Sequence, residues 1–178
     1  MGDRAAGTGV SRDTPVVLQI SVIEAAHLAD LVGQFAELLA DSPADGSARP
    51  DDPALARLVP DAYRDDASAA QEFRSLTAGD LLRRRRDEAE AVLRDLSPGG
   101  APWDAGGLSD DRLTETVEIR LTRAGAQAWL RTLNALRLVL ATRLGIDAED
   151  DHRDGDPRFA IYDWLGYRLD AIVAALDA

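Results

Sequence analysis

VVLQISVIEAAHLADLVGQFAELLA, residues 16–40, decides the fold, because its hydrophobic period changes partway along. Val16, Leu18 and Ile20 alternate with Val17 and Gln19, which is the two-residue period of a short strand. Ser21-Val22-Ile23-Glu24 follows and reads as a capping box. A serine at the N-cap takes the amide proton three residues on while the glutamate reaches back to the cap amide, so a helix begins here. Leu28, Leu31, Val32, Phe35, Leu38 and Leu39 then recur at helical spacing on one side, carrying that helix to about Ala40.

The same unit returns at an offset of 101 residues. Val16, Leu18, Ile20, Ser21, Leu28, Val32, Phe35 and Leu39 line up with Val117, Ile119, Leu121, Thr122, Trp129, Leu133, Leu136 and Leu140. Strand alternation, cap and helix face are preserved together. A lone short strand has no partner for its backbone amides and carbonyls, so Val16–Ile20 and Val117–Leu121 are expected to pair into a two-stranded sheet.

Between the two units, residues 53–76 read as short helices broken by Pro60, with Leu55, Leu58, Tyr63, Phe73 and Leu76 facing inward. Thr77-Ala78-Gly79-Asp80 is a second cap-like start for a helix to about Leu96, and a final helix runs from about Phe159 to Leu176. The expected fold class is mainly α: a single-domain helical bundle with a small two-stranded β-sheet formed by the two strand–helix units. A flexible tail occupies 1–14, the domain 15–178, and loops fall at 41–52, 97–115 and 146–157, with Trp103 of the second loop docking back.

Composition excludes several function classes. All 20 basic residues are arginine, and 32 Asp and Glu bring the formal charge to −12, which opposes autonomous binding to phosphate backbones. With no cysteine the chain has no disulfide, zinc-thiolate site or thiol switch. No apolar run is long enough to span a membrane and the N-terminus lacks a secretory pattern, so a cytoplasmic location is expected.

The chemistry-bearing residues are few. Arg83 to Arg86 is the one basic run, but its members point in different directions around a helix, and Asp87, Glu88 and Glu90 follow the outward arginines by four residues. That is a self-neutralised surface rather than a nucleic-acid face. Asp150, His152, Asp154 and Gly155 fit the start of a calcium loop, yet Ile161 stands where the bidentate glutamate is required. His27, one turn from Asp30, has no nucleophile to serve: there is no serine elbow, paired carboxylate site or glycine-rich phosphate loop. No catalytic residue, metal site or cofactor is expected.

Arginine at helix positions that face inward is the more informative pattern. Arg85 falls in the sector of Leu81, Ala89 and Val92, and Arg137 and Arg143 in that of Trp129, Leu133, Leu136 and Leu140. A guanidinium keeps its charge, so burial demands carboxylates or carbonyls as partners. The three are expected to be buried structural clamps, with Asp61, Asp65, Asp66 and Asp163 as acceptors; their convergence on an anion pocket is the functional alternative. On the last helix Trp164 and Tyr167 lie beside the apolar face, where aromatics with a polar atom commonly anchor a partner; packing under the loop at 97–115 is the alternative.

Three segments carry a family resemblance: DPALARLVPDAYRDDASAAQEFRSLTAGDL (52–81), AQAWLRTLNALRLVLATRLGI (126–146) and YDWLGYRLDAIVAAL (162–176). Together they resemble AosR-like actinobacterial oxidative-stress regulators, a family long described as a domain of unknown function. The resemblance implies a non-enzymatic regulator of transcription that acts with a sigma factor or RNA polymerase, encoded near cysteine-biosynthesis and proteolytic-adaptor genes. Direct DNA contact is then weak or partner-dependent, and a homodimer is compatible with the sequence. The rival reading is an adaptor or scaffold in protein turnover or sulfur metabolism that never touches DNA. One departure stands out: without cysteine, this chain cannot sense oxidation through its own thiols.

Overall fold

The structure is a computed structural model that describes residues 15–41, 52–60, 62, 65–97, 107–148, 151–153 and 155–177. Its order is β1 (Val16–Ser21), α1 (Val22–Ala40), α2 (Pro53–Leu58), α3 (Ala67–Asp95), α4 (Asp110–Leu113), β2 (Thr116–Leu121), α5 (Arg123–Leu144), a 3-10 turn (Pro157–Phe159) and α6 (Ala160–Asp177). The protein is mainly helical with one two-stranded antiparallel sheet. The expected tail 1–14, Trp103, Tyr63, Asp61, Asp150 and Asp154 lie outside the described residues.

The sheet forms as the alternation requires. Val16 pairs with Leu121, Leu18 with Ile119 and Ile20 with Val117, so these six side chains share the core-facing side while Gln19, Glu118 and Arg120 face solvent. Each strand runs straight into its helix through a cap. Ser21 accepts the Glu24 amide while the Glu24 carboxylate accepts the Ser21 amide at 3.1 Å, and Thr122 accepts the Gly125 amide at 3.0 Å.

Helix α5 is the axis, with α2, α3 and α6 packed on it, while α1 packs on α3 and α6 on β1. The main core gathers Leu28, Val32, Phe35, Val92, Trp129, Leu133 and Leu165. At the C-terminal end of α5 a separate small cluster holds Ala141, Ile146 and Phe159, with Tyr162 and Leu144 against it. Gly145 closes α5 in the left-handed conformation at φ 72°, where a side chain would clash with its own backbone.

Three expectations need correction. Helix α3 is continuous from Ala67, capped by Asp66, and does not restart at Thr77. Asp66 accepts the Ala69 amide at 2.9 Å, whereas the Thr77 hydroxyl donates within the helix to the Phe73 carbonyl at 2.8 Å. No proline interrupts that stretch, and Gly79 costs only about 1 kcal/mol in a helix interior. Phe73 and Leu76 are 42% and 74% exposed rather than inward, because Ala70 alone is buried between Ala67 and Thr77. The expected loop 97–115 contains the one-turn helix α4.

Candidate functional site

Glu24 is the residue on which most polar contacts meet. Its carboxylate closes the capping box, accepts the Ser21 hydroxyl at 2.8 Å, accepts the Trp164 indole N–H at 3.0 Å and pairs with Arg168. Arg168 also donates to the Gln19 carbonyl at 3.1 Å and lies against the rings of Trp164 and Tyr167, at 5.9 and 5.3 Å from their centroids. The start of α1, the strand β1 and the middle of α6 are thereby joined at one ion pair. Burial pushes the Glu24 carboxyl up, but the hydrogen bonds from Trp164, Arg168 and Ser21 outweigh it and hold the pKa down to about 2.

Glu24 and Trp164 of this junction also line an apolar groove of about 450 Å3, together with Leu31, Ala160, Ile161, His27 and Asp30. Trp164, expected as a partner contact, spends its indole N–H on Glu24 and is half-buried. Tyr167 is 64% exposed on the adjoining face. His27 is exposed beside this groove, whereas Arg137 lines a different pocket.

The arginines expected inside occupy three separate places. Arg85 is half-buried; its terminal nitrogen reaches the Leu58 carbonyl at 3.5 Å, and its Nε is buried without a partner. Burial pulls its pKa below the ordinary arginine value, against the opposing pull of Glu88. Arg137 is half-buried, donates Nε–H to the Tyr162 carbonyl at 3.2 Å and holds its guanidinium carbon over the Tyr162 ring, 4.0 Å from the centroid. Arg143 is exposed, a correction: it belongs to the last turn of α5, where the main core has ended, and pairs with Asp52. The other Asp52 oxygen caps α2 by accepting the Ala54 amide at 2.8 Å.

None of the proposed acceptors serves these arginines among the described residues. Asp66 caps α3, and Asp163 is 2.6 Å from the Nε2 of His152. The three do not form one anion pocket, since neither Arg85 nor Arg143 lines the pocket on which Arg137 opens. In the basic run Arg86 pairs with Glu90 as the spacing predicts, Arg83 pairs instead with Asp80, and Glu88 is taken by Arg131 of α5.

Sequence reasoning missed Arg168. At about 100° per residue it stands 60° from Leu165 and 40° from Ile172, both buried, so the sector test that singled out Arg137 would have found it. The second role of Glu24 has no local signal, since its partners lie some 140 residues away.

Residues 4–176 match the family described as a domain of unknown function (DUF2017). The chain is 35% identical over 150 residues to the putative oxidative stress regulator AosR of Mycobacterium leprae, covering 80% of this chain and 66% of that protein. It is 32% identical over 184 residues to the oxidative stress regulator AosR of Mycobacterium tuberculosis (strain H37Rv), covering 86% and 78%. No solved structure matches the chain. Among the described residues no helix is long and apolar enough to cross a membrane.

Proposed function

Because the chain belongs to the DUF2017 family, whose mycobacterial relatives are named oxidative stress regulators, we propose that it is a non-enzymatic regulator of the oxidative stress response. It acts on transcription through a protein partner, a sigma factor or RNA polymerase. The observation that carries this reading is the kinship itself, at 35% and 32% identity over most of the chain. Two features of the molecule support it. A net charge of −12 favours a protein partner over bare DNA. Tyr167 is an exposed aromatic held beside the Glu24–Arg168 junction, the kind of rigid side chain that anchors an interface. Lacking cysteine, this chain receives the oxidative signal from its partner rather than from a thiol of its own.

The test is capture of purified actinobacterial sigma factors and RNA polymerase by the tagged full chain, with Tyr167→Ala alongside. A stress sigma factor or polymerase should be retained by the parent protein and at least tenfold less by the variant, whose melting temperature should match the parent's. Retention of proteolytic-adaptor components alone would establish the adaptor reading instead. Equal capture by both proteins would remove Tyr167 from the interface.

A further inference from the structure

The pocket on which Arg137 opens lies at the N-terminal end of α6, lined by α2, α5, α6 and the segment after Gly145. It encloses about 370 Å3, toward the lower end of the range for small-molecule sites. Arg137 is fixed there on three sides. Its Nε–H is committed to the Tyr162 carbonyl, its guanidinium carbon sits over the Tyr162 ring, and it passes so close to Gly166 that a Cβ there would lie 3.3 Å from both Cζ and a terminal nitrogen. Among the described residues its two terminal nitrogens have no hydrogen-bond acceptor and no carboxylate pairs with it. Arg57 on the same pocket, by contrast, is paired with Asp147 at 3.5 Å.

A guanidinium locked at its inner edge, with its outer fork unused, matches a planar bidentate acceptor. Leu138, Ala141 and Ile146 supply an apolar wall beside it, and Asn134 offers an amide at the rim. Orientation by one charged fork with apolar contact alongside is the usual division of labour in a small-ligand site. We propose that this pocket binds a small apolar carboxylate, its two oxygens on the terminal nitrogens of Arg137 and its hydrocarbon against Leu138, Ala141 and Ile146. Such an occupant touches α5, α6 and the connecting segment at once. Its binding is independent of the regulatory reading and of any protein partner.

The experiment is a 1H–15N NMR titration of the full chain with isobutyrate, inorganic phosphate and the neutral isostere isobutyramide, at constant ionic strength. Isobutyrate should produce saturable shifts of the Asn134, Ile146 and Gly166 amides with a Kd in the millimolar range, reasonable for a ligand of about six heavy atoms. Isobutyramide should produce none. Arg137→Gln should weaken isobutyrate at least tenfold. Gly166→Ala keeps the charge but displaces the guanidinium, and should weaken it severalfold with the spectrum otherwise intact, which separates loss of the site from loss of the fold. Absence of saturable shifts, equal response to isobutyramide, or unchanged affinity in a folded Arg137→Gln protein would overturn the proposal. So would saturation by phosphate with none by isobutyrate.

Discussion

Replacing Glu24 with glutamine tests the central junction, because the carboxylate gathers the Trp164 indole, Arg168, the Ser21 amide and the Ser21 hydroxyl. The folded pKa of about 2 against an ordinary 4.5 corresponds to roughly 3 kcal/mol of ionised-state stabilisation at most. The side chain keeps 29% of its surface in contact with water, and screening there lowers the expected contribution to about 1–2 kcal/mol. The sign follows from linkage: a depressed folded pKa gives stability that is complete above 4.5 and is lost as pH falls toward 2. Urea denaturation of both proteins at pH 7, 5 and 3 measures it. Glu24→Gln should be less stable by about 1–2 kcal/mol at pH 7, and the gap should shrink by more than half at pH 3 as the carboxyl of the unfolded chain protonates. Other acids titrate in both proteins and cancel in the difference. Trp164 fluorescence reports the same site through its indole N–H. A gap that stays constant from pH 7 to pH 3, or one below about 0.5 kcal/mol at pH 7, would refute the role given to this carboxylate.

Two further substitutions test the packing. Arg137→Ala should cost about 1–2 kcal/mol in urea denaturation, the worth of a cation–π contact plus a charged hydrogen bond to a carbonyl; a loss above about 4 kcal/mol would reveal a buried carboxylate left unpaired. Leu76→Gln should change stability by less than about 0.5 kcal/mol, since the leucine is 74% exposed. A loss of 2 kcal/mol or more, visible in the same assay, would restore the inward position that the sequence pattern suggests for it.

The parts of the fold that could be read from residues are those decided within one turn or one strand. The period change at Ser21 and Thr122 predicts both strand–helix junctions, and the echo between them predicts the sheet, because two short strands have only each other as ladder partners. The misread start at Thr77 shows the limit of the same reasoning. A threonine hydroxyl serves equally as a cap or as a donor to the carbonyl four residues back, and only the continuity of the upstream helix decides which.

The arginines were harder to read for a different reason. A helical wheel gives the direction of a side chain but not how much protein lies in that direction. Arg137 and Arg143 share a sector of α5, yet Arg137 meets α6 while Arg143, in the last turn, meets the exposed edge of α2 at Asp52. Direction and depth are separate quantities, and depth is set by elements distant in sequence. Arg168 makes the converse case: its direction was legible, but what holds it is Glu24, a residue with an apparently complete local role as the capping-box acid. Because one carboxylate performs both tasks, the orientation of Arg168, and with it the setting of Tyr167 on the exposed face, depends on the first turn of α1 being formed. The aromatic edge of α6 is therefore a property of the assembled strand–helix unit rather than of its own helix, and a partner that recognises Tyr167 in this setting recognises the folded junction of β1, α1 and α6.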